Sequence, residues 1–324
     1  MNIFSRLICA SALASLALGS TAAVAQSFPE KAITVIVPYT AGGTADGIGR
    51  ALGQGLSEEL GVSVVVDNKP GAGASLGTDF VAKSAPDGHT VLLVSTAALT
   101  IYPSIYKANY DPQKDLIPLR SVAIAPVALA ATEILKAEDF KTLLAEGKAN
   151  PESVRFGTPG IGTNAHLGME LLGRMTETQM LHIPYKGNSQ AITDALGGSF
   201  ELLVTNADVV LPHAEKGTLR PLAVMAPARL SNWPDVPTLA EMGYADAQYY
   251  SDFGFFVPAG TPQATLERLQ AALDKVTSST SYKDFLASAK MQEGAGVGQE
   301  YADKIKAQTA TNADVIRQAN IKPN

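Results

Sequence analysis

Short β-branched runs and longer helix-patterned segments alternate through most of the chain. Ile33 to Val37, Val62 to Val66, Val91 to Ser95, Val154 to Gly157, Leu181 to Pro184, Glu201 to Thr205 and Leu222 to Met225 read as strands. Asp46 to Leu60, Asn164 to Met175, Ser189 to Leu196 and Asp208 to Lys216 read as helices, and Thr261-Pro262 opens another that runs to Val276. Roughly the last 40 residues read as wholly helical. Alternation of this kind argues for crossover units and mainly parallel sheets, an α/β fold. Tyr249, Tyr250, Phe253, Phe255 and Phe256 form an aromatic cluster whose spacing over 253–257 suits a strand that packs on both faces. One ring, Phe253 or Phe256, could instead line a cleft.

Two Pro-punctuated extended segments, Val122 to Ala130 and Pro221 to Pro227, are the places where the chain could pass between two lobes. With both as crossings, 26–124 and 226–324 form lobe 1 and 125–225 forms lobe 2. A two-strand hinge of this sort leaves a cleft able to close on a ligand.

Composition narrows the classes. At 324 residues, 46% hydrophobic and 17% charged, the chain has the make-up of a globular protein of about two domains. A formal charge of -6 with no Lys/Arg block disfavours nucleic acid as a partner. The first 25 residues have the form of a secretory signal: Arg6, an apolar run from Leu7 to Leu18, and Ala23-Val24-Ala25 as a small-x-small site, with cleavage expected before Gln26. The apolar run is too short for a membrane span. Removing the leader takes away Cys9 and leaves 299 residues with charge -7 and no cysteine, so disulfides, thiolate metal sites and cysteine nucleophiles are excluded from the mature chain.

Chemistry concentrates at the strand-to-helix junctions. The first strand runs into Pro38-Tyr39-Thr40-Ala41-Gly42-Gly43-Thr44, where glycines let the backbone approach a ligand and free N–H groups at the helix start favour an anion. It lacks both the P-loop and the dinucleotide fingerprint. Asp46, in the first turn of that helix, reads as a cap. Gly157 to Asn164, Pro184 to Ser189 and Thr205 to Asp208 are three further junctions, offering Thr163, Asn164, Tyr185, Lys186, Gly187, Asn188, Asn206 and Asp208. Ligands of open α/β sheets sit outside the carboxyl ends of strands, where all four junctions lie. A small carboxylate held between the lobes follows. His166 and Glu170, four apart, could contribute to a metal site, but a hydrogen-bonded structural histidine is the simpler reading.

A different class is formally open. Gly73-Ala74-Ser75-Leu76-Gly77 fits the GxSxG pattern, and with Asp208 and His213 downstream a secreted serine hydrolase using Ser75 is the alternative. The presumed strand ends near Val66, too early for a nucleophile elbow. Gly71 and Gly73 also resemble a nicotinamide-binding turn, which Pro70 interrupts.

Taken in order, Phe28-Pro29-Glu30-Lys31, Pro38-Tyr39-x-Ala41-Gly42-Gly43-x-x-Asp46, Asn68-Lys69-Pro70-Gly71-Ala72-Gly73, Pro86-Asp87-Gly88-His89-Thr90, Gly157-Thr158-Pro159-Gly160, His166-Leu167 and Pro184-Tyr185-Lys186-Gly187 resemble the Bug family, the extracytoplasmic solute-binding components of tripartite tricarboxylate transporters. Ala74 and Thr44-Ala45 depart from the family pattern. The resemblance implies a two-lobed, Venus-flytrap periplasmic binding protein of type II without catalysis or cofactor. It implies a monomer that delivers its ligand to large and small membrane subunits. It further implies that one ligand carboxylate meets the loop from Tyr39 to Thr44 and the junction from Tyr185 to Asn188, partly through water, with the distal end near Thr163, Asn164, Asn206 and Asp208. Family ligands include di- and tricarboxylates, acidic amino acids and aromatic carboxylates, and terephthalate belongs in any panel beside citrate and malate.

Overall fold

The computed structural model describes residues 28–226, 228–231, 233–247 and 249–322. The leader, its cleavage point before Gln26, and Pro227 at the end of the second crossing segment lie outside the described residues.

Eleven strands among the described residues form two sheets. The first holds β1 (Ile33–Val37), β2 (Val64–Asn68), β3 (Thr90–Ser95), β4 (Leu116–Ala125), β10 (Ser251–Pro258) and β11 (Gln292–Glu293), in the order β11-β4-β10-β3-β1-β2. The second holds β5 (Val127–Ala131), β6 (Arg155–Thr158), β7 (Leu181–Pro184), β8 (Leu202–Asn206) and β9 (Arg220–Met225), in the order β7-β6-β8-β5-β9. Helices follow β1, β6, β7 and β8 directly, at 44–60, 164–176, 188–196 and 207–214.

The sheets are α/β but mixed rather than mainly parallel. β1 pairs in parallel with β2 and β3, and β6 with β7 and β8. β10 runs antiparallel to β3 and β4, and β5 antiparallel to β8 and β9. The reason is the crossing itself. β4 passes into β5 with only Pro126 between them, so the chain changes sheets without a helical return and enters the second sheet against its neighbours' direction. Pro126 has no N–H for the ladder, while its carbonyl accepts from Ala207 N at 2.8 Å. The chain returns between Met225 and Ser251.

Burial explains the 44–60 helix. Ile48, Leu52, Leu56 and Leu60 recur every four residues and pack on Val35 and Val37 of β1, Leu93 of β3 and Phe255 of β10. Each such side chain contributes on the order of 2 kcal/mol by leaving water. β10 is buried along its whole length, with Phe253 and Phe255 in this cluster and Phe256 packed with Tyr301 on the other face. Behind the second sheet, Leu129, Phe156, Leu167, Leu202 and Val204 form a second core, joined by Ile101 and by Val315 and Ile316 of the last helix.

Two local expectations fail. The C-terminal stretch is not wholly helical: the helix Thr280–Ser288 ends near Lys290, in the left-handed region, and β11 then pairs with β4 before the helix Gly298–Gln318. Gly294 makes that return possible, because a Cβ there would lie 2.4 Å from the Ser121 carbonyl carbon. Thr261 does not cap the helix Gln263–Ser278; its hydroxyl donates to the Pro258 carbonyl and Pro262 holds the cap position. Among the described residues no helix is long and apolar enough to cross a membrane.

Candidate functional site

The four junctions meet. A cavity of about 870 Å³ lies between the two sheets, lined from the first by the loops after β1, β2 and β3 and from the second by those after β6, β7 and β8. Tyr39, Thr40, Gly42, Gly43, Thr44, Thr163, Asn164, Tyr185, Lys186, Gly187, Asn188, Asn206 and Asp208 all line it. Ala41 is exposed and stands outside the lining. A volume of this size suits a small metabolite.

The junctions are not equivalent as anion receivers. The helix that starts at Thr44 has Gly43 at its cap position and no side-chain cap, and the helix that starts at Asn188 follows Gly187, likewise without one. First-turn N–H groups lack intrahelical acceptors, so each end presents donors and the positive pole of its dipole to the cavity. Gly187 sits at φ 146°, where a side chain would be strained. The helix that starts at Asn164 is closed instead: Thr163 Oγ1 accepts from His166 N at 3.2 Å and donates to the Gly160 carbonyl at 2.9 Å. Thr163 is therefore spent as a cap. The start at Ala207 is partly closed as well, since Ala207 N is taken by Pro126. Two open helix ends, one from each sheet, remain.

Within the first loop, Gly42 N donates to Asp46 Oδ2 at 3.0 Å, so that amide is held internally. Arg50 grips the same carboxylate through Nε at 2.9 Å and Nη2 at 3.0 Å. Burial opposes the charge on Asp46, but Arg50 and the Gly42 N–H outweigh it and keep the carboxyl below its ordinary range. Its negative charge is thereby neutralised beside the open helix end. Tyr39 supplies its ring rather than its hydroxyl: the hydroxyl accepts from Ser95 N at 3.3 Å, and the ring meets Phe253 edge-on at 6.5 Å. Asn68 holds the loop by donating to the Tyr39 carbonyl at 3.1 Å.

The polar groups left for a ligand are few. Asn164 is buried, lines the cavity, and its side-chain amide has no hydrogen-bond partner among the described residues. Lys186 and Asp208 are the Lys, Arg, Asp or Glu side chains in the lining. Asn188 has only its oxygen engaged, Oδ1 accepting from Thr205 Oγ1 at 2.7 Å. A directional chain crosses between the sheets: Ser251 Oγ donates to Asn206 Oδ1 at 2.9 Å, Asn206 Nδ2 to Thr44 Oγ1 at 3.2 Å, and Thr44 Oγ1 to Asp208 Oδ2 at 2.8 Å. Burial pushes the Asp208 carboxyl up to about 6, against the pull of the Thr44 hydroxyl and the Asp208 and Val209 amides.

Some lining residues carried no signal that sequence reasoning used. Tyr102 and Tyr106 stack at 4.7 Å and form an aromatic wall; their i,i+4 spacing was the available clue. Gly71 to Ala74 also face the cavity, whereas Ser75 begins the next helix and is buried outside the lining. Among the described residues no hydrogen bond links Ser75 to His213, and Asp208 Oδ2 accepts from Thr44. Phe253 lines the cavity; Phe256 does not. His166 serves the Gly160 loop, accepting from Gly162 N through Nδ1 at 3.3 Å, while its Nε2 lies 3.5 Å from Glu170. Its ring stacks on His182 at 4.0 Å.

Comparison with known proteins agrees with this architecture. Protein BugT of Bordetella pertussis is 36% identical over 269 residues, covering 82% of each chain. The solved periplasmic binding protein BugD superposes with a TM-score of 0.83 at 28% identity, over 92% of this chain and 100% of that one. An R. palustris protein solved with adipate superposes with a TM-score of 0.86 at 29% identity, over 92% and 100%. BugD is a periplasmic binding protein, and two α/β sheets flanked by helices agree with the fold class expected above. The model of the tripartite tricarboxylate transporter family receptor matches residues 48–321, and the chain belongs to that family, with the Bug proteins among its relatives.

Proposed function

We propose that this chain is an exported receptor that captures a small carboxylate between two lobes and hands it to the large and small membrane subunits of a tripartite transporter. In this reading, lobe 1 is 26–124 with 226–324, lobe 2 is 125–225, and the leader is removed before Gln26. The observation that carries it is the pair of uncapped helix starts, at Thr44 and Asn188, which come from different sheets and face one cavity. An anion between them is met by N–H donors and a favourable dipole from both sides. Closure would then cost the protein less with the ligand present than without it, which is the coupling a receptor needs. The exposed Lys186 adds a charge at the same mouth, and Asn164 a neutral donor.

The ring faces of Tyr39, Tyr102, Tyr106 and Phe253 give the cavity an apolar side, which favours an aromatic or methylene-rich carboxylate over a compact hydroxylated one. Adipate in the R. palustris relative is such a molecule. The test is a thermal-shift panel on the mature chain with citrate, malate, adipate and terephthalate. A ligand at about 100 times its dissociation constant adds roughly 2.7 kcal/mol, a rise of a few degrees for a chain of this size. If none of the four, nor any mono-, di- or tricarboxylate added to the panel, moves the midpoint, the ligand class is wrong.

A further inference from the structure

Asp208 is an unexpected wall for a cavity that receives an anion. It stands in the first turn after β8, and with Lys186 it supplies the formal charges of the lining. Neither forms an ion pair among the described residues. The chain of donors from Ser251 through Asn206 and Thr44 ends on Asp208 Oδ2. Every link has a fixed direction: Asn206 must turn its oxygen to Ser251 and its nitrogen to Thr44, and the single Thr44 proton goes to Asp208. That proton is the last one the side-chain network has to give, beside the Asp208 and Val209 amides that also favour the charged carboxyl. Oδ1, the other carboxylate oxygen, is buried and has no hydrogen-bond partner among the described residues. A buried acceptor left in this state is costly.

The two ends of the lining thus want opposite partners. The helix starts at Thr44 and Asn188, with Lys186, want an acceptor; Asp208 wants a donor. A second carboxylate brought to Asp208 would face a like charge with little water to screen it. An ammonium or hydroxyl there would complete the network.

We propose that Asp208 makes this receptor selective for a carboxylate whose far end carries an N–H or O–H donor, accepted by Oδ1, over one whose far end is a second carboxylate. The inference rests on the carboxylate reading and narrows it. It also separates two kinds of residue in the site: the helix starts set the class of ligand, and Asp208 sets the choice within the class.

The experiment uses matched ligands at pH 8: adipate, 6-hydroxyhexanoate and 6-aminohexanoate, and the four-carbon series of succinate, 4-hydroxybutyrate and 4-aminobutyrate. Affinities are measured by calorimetry on the wild-type chain and on Asp208→Asn. In at least one series the hydroxy or amino member should bind the wild type at least tenfold more tightly than the dicarboxylate. Asp208→Asn should shrink that gap to less than threefold, because the new amide can donate to a second carboxylate. A cationic far end is identified if the amino ligand loses affinity in the variant; a hydroxyl far end, if the hydroxy ligand keeps it. Tighter wild-type binding of the dicarboxylate in both series, or a gap unchanged by the substitution, overturns the proposal. Should Asp208→Asn fail to fold, the wild-type rank order decides alone. If no ligand of either series binds and the wider carboxylate panel also fails, the carboxylate reading falls and this proposal with it; if the wider panel succeeds while both donor-bearing types are ignored, only the proposal falls.

Discussion

Thr44 and Asp208, 164 residues apart in the chain, share a 2.8 Å hydrogen bond from the Thr44 hydroxyl to Asp208 Oδ2. One begins the helix after β1 of the first sheet and the other lies in the first turn after β8 of the second. The bond therefore spans the cleft, and it holds only while the sheets stand this close. Hydrogen bonds to charged groups contribute about 1.5–3 kcal/mol. Thr44→Val removes both roles of the hydroxyl, donor to Asp208 and acceptor from Asn206. For whichever carboxylate moves the wild-type midpoint, affinity measured by calorimetry should fall about 10- to 100-fold, while Thr44→Ser should stay within about threefold. Equal affinities for wild type and Thr44→Val would show that the bond adds nothing to closure.

Asp208 should also leave a mark on stability against pH. Its carboxyl is raised from 3.8 to about 6, chiefly by burial. A raised acid stabilises the folded chain fully below its unfolded value of 3.8, and that contribution is lost as pH climbs through about 6. The displacement corresponds to roughly 3 kcal/mol at most. Thermal midpoints of wild type and Asp208→Asn, compared from pH 3.5 to 7.5, should show the wild type losing ground between about pH 4 and 6 and a constant difference above. A flat difference across this range would mean that Asp208 is well solvated, and a wild type that gains over the variant would mean that its carboxylate is paired in solution.

How much of this was legible in the sequence differs by level. The four junctions could be read because strand ends, glycines and capping residues are local signals, and all four do line one cavity. Their relative worth could not. That Ala207 N goes to Pro126 and that Gly42 N goes to Asp46 depend on where backbone carbonyls and carboxylates arrive after folding. The mixed character of the sheets was hidden for a similar reason: β5 and β10 have the same apolar composition in either direction, and direction is set by the crossing at Pro126 and the return at Ser251. At the C-terminus the signal was present and outweighed. Gly294, Gly296 and Gly298 break the helical pattern, and Gly294 marks where the chain must pass close to β4.

The histidine pair behind the cavity gives a second pH prediction with the opposite sign. His182 stacks between Phe156 at 4.9 Å and His166 at 4.0 Å, and its Nε2 meets Thr158 Oγ1 at 2.7 Å. Burial, and then the neighbouring His166, hold its pKa down at about 3. A depressed histidine contributes stability above its unfolded value of 6.5 and loses it as pH falls toward about 3. Thr158 and His166 both bond the Gly160 and Gly162 loop that lines the cavity, so protonation here should loosen that wall first. Ring resonances of His182 followed by NMR should stay flat from pH 8 to about 5. A titration centred near 6.5 would show that the stack is open to water.

Gly157 tests the packing beneath the second lobe's loops. It lies in β6, fully enclosed, and a Cβ added there would sit 2.3 Å from Cζ of Phe200, itself wholly buried. No flexible chain end can move aside, because Phe200 packs among Ala128, Ala191 and Leu203 and against Tyr185 at 5.7 Å. Gly157 carries no left-handed φ, so the penalty of Gly157→Ala is steric, about 1–3 kcal/mol or somewhat more for overpacking. Phe200→Leu alone should cost a comparable amount by leaving a void. Combined, the two changes compensate in volume, and the double variant should be more stable than the sum of the single losses predicts by about 1 kcal/mol or more in chemical denaturation. Additive losses would mean that the ring of Phe200 does not occupy the space over Gly157. Because Tyr185 leans on Phe200 and also lines the cavity, Phe200→Leu should in addition weaken carboxylate binding, whereas a loss confined to stability would separate the core from the site.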